Sequence, residues 1–301
     1  MILLGILAAS GAGVTGGVAG YIAGGNSPSI VATVDKFDFA SDARTTLGTG
    51  LSSARRGAAG MSNPTVAGYA AGGFTGSNVT TVDKFAFPSD SRTTLGTGLS
   101  LARERLAGFS NAGVAGYAAG GRQTTVDKFA FPSDSRTTLA TGISAPVVVP
   151  VGMSNNGVAG YSAGGFNYGP LAPTAVVNKF AFPSDSRTTL GTGLSAAKDG
   201  GGGMSNNGVA GYYAGGNPGP TSNVDKFAFP SDSRSALGTG LSSGKLGMVG
   251  MSNSGIAGYV GGGASSSTVD KFDFSNDSRT TLATGLSSAR QYSAGFENEA
   301  S

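Results

Sequence analysis

The sequence predicts an all-β fold, a six-bladed β-propeller of four-stranded antiparallel blades, on three observations. A Gly-Tyr-x-(Ala/Gly)-Gly-Gly motif recurs six times, with its tyrosines at Tyr21, Tyr69, Tyr117, Tyr161, Tyr212 and Tyr259. A second motif, Val-Asp-Lys-Phe-x-Phe, starts at Val34, Val82, Val126, Val177, Val224 and Val269, and Asn178 is the one departure at its Asp position. From each of the first five valines the next repeat's tyrosine follows after 35 residues, as from Val34 to Tyr69, so length variation is confined to the loop between Gly-Gly and the valine. Units of this period cannot bury both faces alone, and four short strands per unit stack around a common axis.

Taken in chain order, residues 1–17 form an apolar, Gly-rich extension and residues 18–301 the propeller. The run Met1 to Ala9 is far shorter than the roughly 20 residues that cross a bilayer, so no membrane span is expected, and without a basic n-region it is not read as a secretory signal. Ile2, Leu3, Leu4, Ile6 and Leu7 are instead expected to dock in an assembly, on this domain or on a neighbour. Within each repeat the first strand covers segments such as Gly60 to Asn63, and the second is Val66 to Gly73, where small residues surround Tyr69. Thr81 to Phe87 reads as a third strand buried on both sides, ended by Pro88, which has no ladder donor. Ser89, Asp90 and Ser91 make a turn, and the fourth strand runs from Arg92 towards Leu99. Counting 35 residues on from Val269 overruns the chain by three, so the chain stops where the first repeat's second strand begins. Arg290, Gly295, Phe296 and Asn298 occupy the slots of Arg55, Gly60, Met61 and Asn63, which makes the tail the missing first strand of the first blade.

Composition excludes several functions. Gly accounts for 53 of 301 residues, yet 16 Phe and nine Tyr at regular spacing supply the core that disordered chains lack. Cysteine and histidine are both absent, which removes disulfides, thiolate and imidazole metal ligands, the cysteine nucleophile and the commonest general base. The acidic residues recur with the repeat instead of converging, so no catalytic pair, metal or cofactor is expected. A net charge of +3 with sparse basic residues makes nucleic acid an improbable partner.

The hydrophobic strand ending in Gly-Gly, the Val82 to Phe85 third strand and the basic residue opening the next repeat (Arg55, Arg103, Lys198, Lys245, Arg290) resemble the kelch repeat over nearly the whole chain. That resemblance implies a β-propeller that binds proteins or glycans. The fourth-strand Trp usual in such repeats is missing here, with Leu95 and its equivalents nearby, and the histidines of copper-dependent kelch-like oxidases are absent. The near-identical copies and Gly-rich N-terminus are also similar in style to tail or capsid-associated repeat proteins of tailed bacteriophages. On that likeness the chain is a non-enzymatic structural or adhesion protein of a virion or the extracellular space, with a cytoplasmic location left open. The alternative is a kelch-type module for a protein or glycan.

Two faces follow from the meander. The turns Pro-Ser-Asp-Ser and Met-Ser-Asn-Asn-Gly are nearly uniform and suggest a scaffold or a symmetric contact, such as a homo-oligomer. The opposite face carries the variable loops, and there Phe74, Arg122, Gln123, Phe166, Asn167, Tyr168 and Asn217, with the basic positions Arg55, Arg103 and Arg105, are the candidate binding residues. The Asp90/Arg92 turn pair is read as a local turn feature, and Asp83/Lys84 as a link to a neighbouring blade, because adjacent strand residues point to opposite faces. Val147 to Val151, between Pro146 and Pro150, replaces the basic loop of one repeat by an apolar one, either a partner contact or a cover for its own edge.

Overall fold

The computed structural model describes residues 18–299. The expected docking residues Ile2, Leu3, Leu4, Ile6 and Leu7 lie outside them. The described chain is all-β: six four-stranded antiparallel sheets, plus two small ribbons in the variable loops. None of its elements is a helix, so no helix is long and apolar enough to cross a membrane.

The second sheet shows how the repeat folds. Its strands are Ala59–Asn63, Ala67–Ala71, Val82–Ala86 and Ser91–Thr94, each paired with the next. The Tyr69 strand is buried throughout because it lies between two neighbours and two adjoining sheets. The third strand is less enclosed than the sequence suggests: Val82, Asp83 and Phe85 are buried, whereas Lys84 and Ala86 are half-buried and reach the rim. The fourth strand ends at Thr94, and the chain then folds back so that Leu99 enters the core.

The first sheet is made by both ends of the described chain. Ala294–Asn298 pairs antiparallel with Ala19–Ala23 in the register Ala19↔Asn298 to Ala23↔Ala294, which matches Ala59–Asn63 on Ala67–Ala71 in the second sheet. First strands of successive sheets pack against one another in sequence, and Met248–Asn253 of the sixth packs against Ala294–Asn298 of the first. Glycine makes this approach feasible. A Cβ built on Gly108 would collide with the Gly60 carbonyl, one on Gly60 with that of Gly295, and one on Gly295 with that of Gly250.

Neighbouring sheets are tied by two polar devices, the first at all six junctions and the second at five. In the first, the turn aspartate, held at positive φ, takes a tyrosine hydroxyl and a lysine from the preceding sheet: Asp90 accepts from Tyr21 and Lys36, both at 2.7 Å. The series runs through Asp134, Asp185, Asp232 and Asp277, and Asp42 of the first sheet clamps Tyr259 and Lys271 of the sixth. The turn Asp therefore serves the neighbouring sheet, and its local Arg bonds elsewhere, as Arg92 does to Thr94.

In the second device a buried base meets a buried aspartate of the next sheet. Arg55 reaches Asp83 at 3.0 Å and Arg103 reaches Asp127 at 2.7 Å. Lys198 and Lys245 do the same to Asp225 and Asp270, and Arg290 reaches Asp35 at 2.8 Å. Burial pushes the Asp83 carboxyl up, but Arg55 and the hydrogen bonds from Ser52 and Thr94 outweigh it and hold the group below its ordinary range. The fourth sheet breaks the series on both sides at once: Val147 takes the backbone position of the base, and Asn178 replaces the aspartate.

Candidate binding face

Variable loops gather at one end of the sheets because each loop after Gly-Gly pairs with the segment that leaves the fourth strand. Arg56 bridges Phe74, Thr174 bridges Lys198, and Asp199 bridges Asn217. Near the centre of this face six residues form a cycle of backbone hydrogen bonds. Gly57 donates to Tyr292, Arg105 to Gly57, Val149 to Arg105, Gly200 to Val149, Gly247 to Gly200 and Tyr292 to Gly247, over 2.6 to 3.1 Å.

All six members have positive φ, between 51° and 72°. Glycine meets that requirement at three positions. At Arg105, Val149 and Tyr292 a side chain is kept at a steric cost of about 1 kcal/mol or more each. Two of these side chains meet: Arg105 lies with its guanidinium 4.9 Å from the Tyr292 ring centre.

The same stacking recurs across the face. Arg56 covers Phe74 at 4.8 Å, and Arg122 covers Tyr168 at 4.2 Å while donating to its hydroxyl at 3.0 Å. Phe166 packs edge-on against Tyr168 at 5.2 Å. One carboxylate, Glu104, serves two of these arginines: it accepts from Arg56 at 3.4 Å and stands 3.8 Å from Arg105 Nε, beyond hydrogen-bond reach. Among the described residues Arg122 and Arg187 are the only basic side chains with no carboxylate partner, and of the two only Arg122 is exposed.

Most of the residues expected from sequence meet here. Gln123 and Asn167 flank the two-residue strand Val147–Val148, which pairs with Phe166–Asn167, so Arg122, Gln123, Phe166, Asn167 and Tyr168 share one corner. Val147 and Val148 are buried beneath that corner and cover their own edge. Asn217 lies further round, on Asp199, whose carboxyl burial pushes up against the opposing hydrogen bond from Asn217.

Arg55 and Arg103 require correction. They are 0% and 1% exposed and saturate buried aspartates, so they hold sheets together and present nothing to a ligand. Arg56, beside Arg55, is a basic position of this face that the sequence also indicates; Glu104, beside buried Arg103, points the other way as alternation in an extended segment requires, and Tyr292 of the last loop carries no such sequence signal.

The opposite end holds a second unanticipated arrangement. The serines of the first strands form another cycle: Ser62 N–H donates to Ser110 Oγ, then Ser110 to Ser154, Ser154 to Ser205 and Ser205 to Ser252, at 2.8 to 2.9 Å. In the first sheet the serine is replaced by Glu297, whose N–H donates to Ser62 at 3.0 Å and whose carboxylate takes bonds from the Ser62 hydroxyl and the Ser252 N–H. Two residues on, Glu299 takes the place held by Asn156, Asn207 and Ser254 in other sheets, and both glutamates line the narrow axial cavity. Exposed Val66, Val114, Val158, Val209 and Ile256 stand at the equivalent turns of five sheets at this end.

No protein-family model matches the chain, and no curated protein matches it.

Proposed function

We propose that the six sheets are the blades of a closed, kelch-like β-propeller, and that the protein is a non-enzymatic module that binds an acidic glycan on its variable face. Support for closure comes from three cycles that return to their start after six members: the tyrosine–aspartate clamps, the axial backbone ring and the serine ring ending in Glu297.

The arginine-capped rings carry the ligand assignment. Phe74, Tyr168 and Tyr292 each have a guanidinium over one face, so what the surface displays is oriented positive charge held on aromatic supports. Glu104 lies between Arg56 and Arg105, buried Asp199 stands near Arg105, and exposed Arg122 has no carboxylate partner, so the face favours carboxylate or sulfate groups at its Arg122 corner. A stable protein interface would need a broader apolar centre than the scattered exposed residues Leu101, Tyr168, Leu171 and Val176 supply. The repeated aspartates are occupied by clamps and ion pairs.

Titration with heparin, polygalacturonate and neutral dextran tests this reading. The two acidic polymers should bind with a salt-dependent affinity that Arg122→Ala and Arg105→Ala each weaken about tenfold, with the unfolding temperature within 2 °C for Arg122→Ala. Equal binding of dextran, or unchanged affinity in both variants, would remove it.

A second reading, a structural component of a virion that assembles through the uniform face, is favoured by the exposed collar of Val66, Val114, Val158, Val209 and Ile256. In that case Val158→Lys with Val209→Lys would abolish a concentration-dependent oligomer seen by sedimentation, and a native chain that stays monomeric at all concentrations would exclude it.

A further inference from the structure

The strand that joins the end of the chain to its beginning differs from the five other first strands in one respect. They are Ala59–Asn63, Leu106–Asn111, Val151–Asn155, Gly202–Asn206 and Met248–Asn253, and none carries a charged residue. The joining strand, Ala294–Asn298, carries Glu297, and Glu299 follows it. Alternation places both side chains on the same side of the strand, and the axial cavity is lined by both.

Among the described residues no basic side chain pairs with them, and only serine donors offset their charge. Glu297 faces Ser62 of the second sheet and Ser252 of the sixth, and Glu299 faces Ser254. The neighbouring strands Ala19–Ala23 and Ala67–Ala71 carry no charged residue, their one titratable group each, Tyr21 and Tyr69, being engaged by Asp90 and Asp134, and no lysine or arginine pairs with either glutamate among the described ion pairs. Pro64, at the equivalent slot of the second sheet, has no N–H to donate to Glu299.

We propose that Glu297 and Glu299 are a proton-operated latch on the strand that closes the chain's two ends. With one or both protonated the strand is seated in the serine ring; with both ionised, two like charges confined along one narrow axis push Ala294–Asn298 away from Ala19–Ala23. The inference depends on the observed pairing of these strands and is independent of what the variable face binds.

The direction of the titration agrees. Both side chains keep some exposure to the cavity, but enclosure by the surrounding strands still pushes Glu297 up to about 7, against hydrogen bonds from Ser62 and Ser252, and enclosure together with the charge of Glu297 pushes Glu299 up to about 8, against a bond from Ser254. Both folded values lie above the ordinary carboxyl range, so the folded chain holds protons that the released strand would lose. Closure is then fully stabilised below about pH 4.3 and is weakened as pH rises through 7 and 8.

Hydrogen exchange on the full chain at pH 6 and pH 9, corrected for the intrinsic exchange rate, tests the latch. Protection of the amides in 19–23 and 294–298 should fall at least tenfold more than that of Val151–Asn155, which belongs to the fourth sheet on the far side of the axis. The double variant Glu297→Ser, Glu299→Asn restores the residue types of the other sheets and should lose that difference. An equal change in every sheet, no change at the joining strand, or a difference that persists in the double variant would each overturn the proposal.

Discussion

The joint exception at Val147 and Asn178 gives a double-mutant test of how neighbouring sheets are joined. Asn178 is 5% exposed and accepts from Ser144 N–H at 3.1 Å, Arg187 at 3.3 Å and Thr189 at 3.4 Å. Asn178→Asp places a carboxylate there with no base from the preceding loop. An uncompensated buried charge costs about 3–5 kcal/mol, and half-buried Arg187 offsets about 1 kcal/mol, so the variant should lose about 2–4 kcal/mol. Val147→Arg alone buries a guanidinium opposite an amide and forfeits an apolar side chain, for a loss of about 3–5 kcal/mol. Together they recreate the arrangement of Arg103 and Asp127, and the double variant should recover most of both losses, with a coupling energy of about 3 kcal/mol or more. Urea unfolding of the four proteins measures this. Losses that add to within about 0.5 kcal/mol would refute the idea that these slots hold one base and one acid across each junction.

Three further outcomes follow. Gly108→Ala puts a Cβ into the Gly60 carbonyl of the adjoining strand, and backbone on both sides cannot yield, so it should cost at least about 3 kcal/mol or prevent folding, read as a lowered unfolding midpoint. Asp134→Asn and Asp42→Asn keep the positive φ but remove the charge that receives Lys84 or Lys271; each should cost about 1–2 kcal/mol, and a seam variant that costs nothing would mean that the sixth and first sheets are not clamped as the others are. In the pH profile two sets of groups act oppositely. Asp83, Asp127 and Asp270 are held below the ordinary carboxyl range, burial being outweighed at Asp83 by Arg55 with Ser52 and Thr94, at Asp127 by Ser100 and Thr138 with Arg103, and at Asp270 by Thr281 and Ser242 with Lys245, so their contribution is present above about pH 4 and is lost as pH falls. Glu297 and Glu299 are raised and act in reverse, so the midpoint should peak near pH 5 and decline towards pH 8; a midpoint that rises over that interval contradicts the assignment.

What the sequence disclosed was whatever a repeat exposes. The two anchor motifs located second and third strands to within one or two residues, and the slots of Gly295, Phe296 and Asn298 announced the pairing of the chain's ends. Arg55 and Arg103 were misplaced because a basic residue at the edge of a variable loop looks displayed, while its partner lies in the following repeat, at Asp83 or Asp127. A signal existed: the one repeat with valine in place of the base is followed by the one motif with Asn178 in place of Asp. Glu297 and Glu299 could have been caught by aligning the tail fully, since they fall opposite Ser62 and Pro64. The axial ring was beyond reach, because positive φ at Arg105, Val149 and Tyr292 has no mark in residue type.

The central claim, that the last strand completes the first sheet, is tested most directly by a disulfide, in a chain that has no cysteine of its own. Ala23 and Ala294 are register partners across the seam, and Ala71 and Ala59 are the same pair within the second sheet. Ala23→Cys with Ala294→Cys should oxidise in the monomer as readily as the Ala59→Cys, Ala71→Cys control, giving a closed loop that migrates faster on a non-reducing gel. A control that oxidises while the seam pair stays reduced, or links only between separate molecules, would contradict the account.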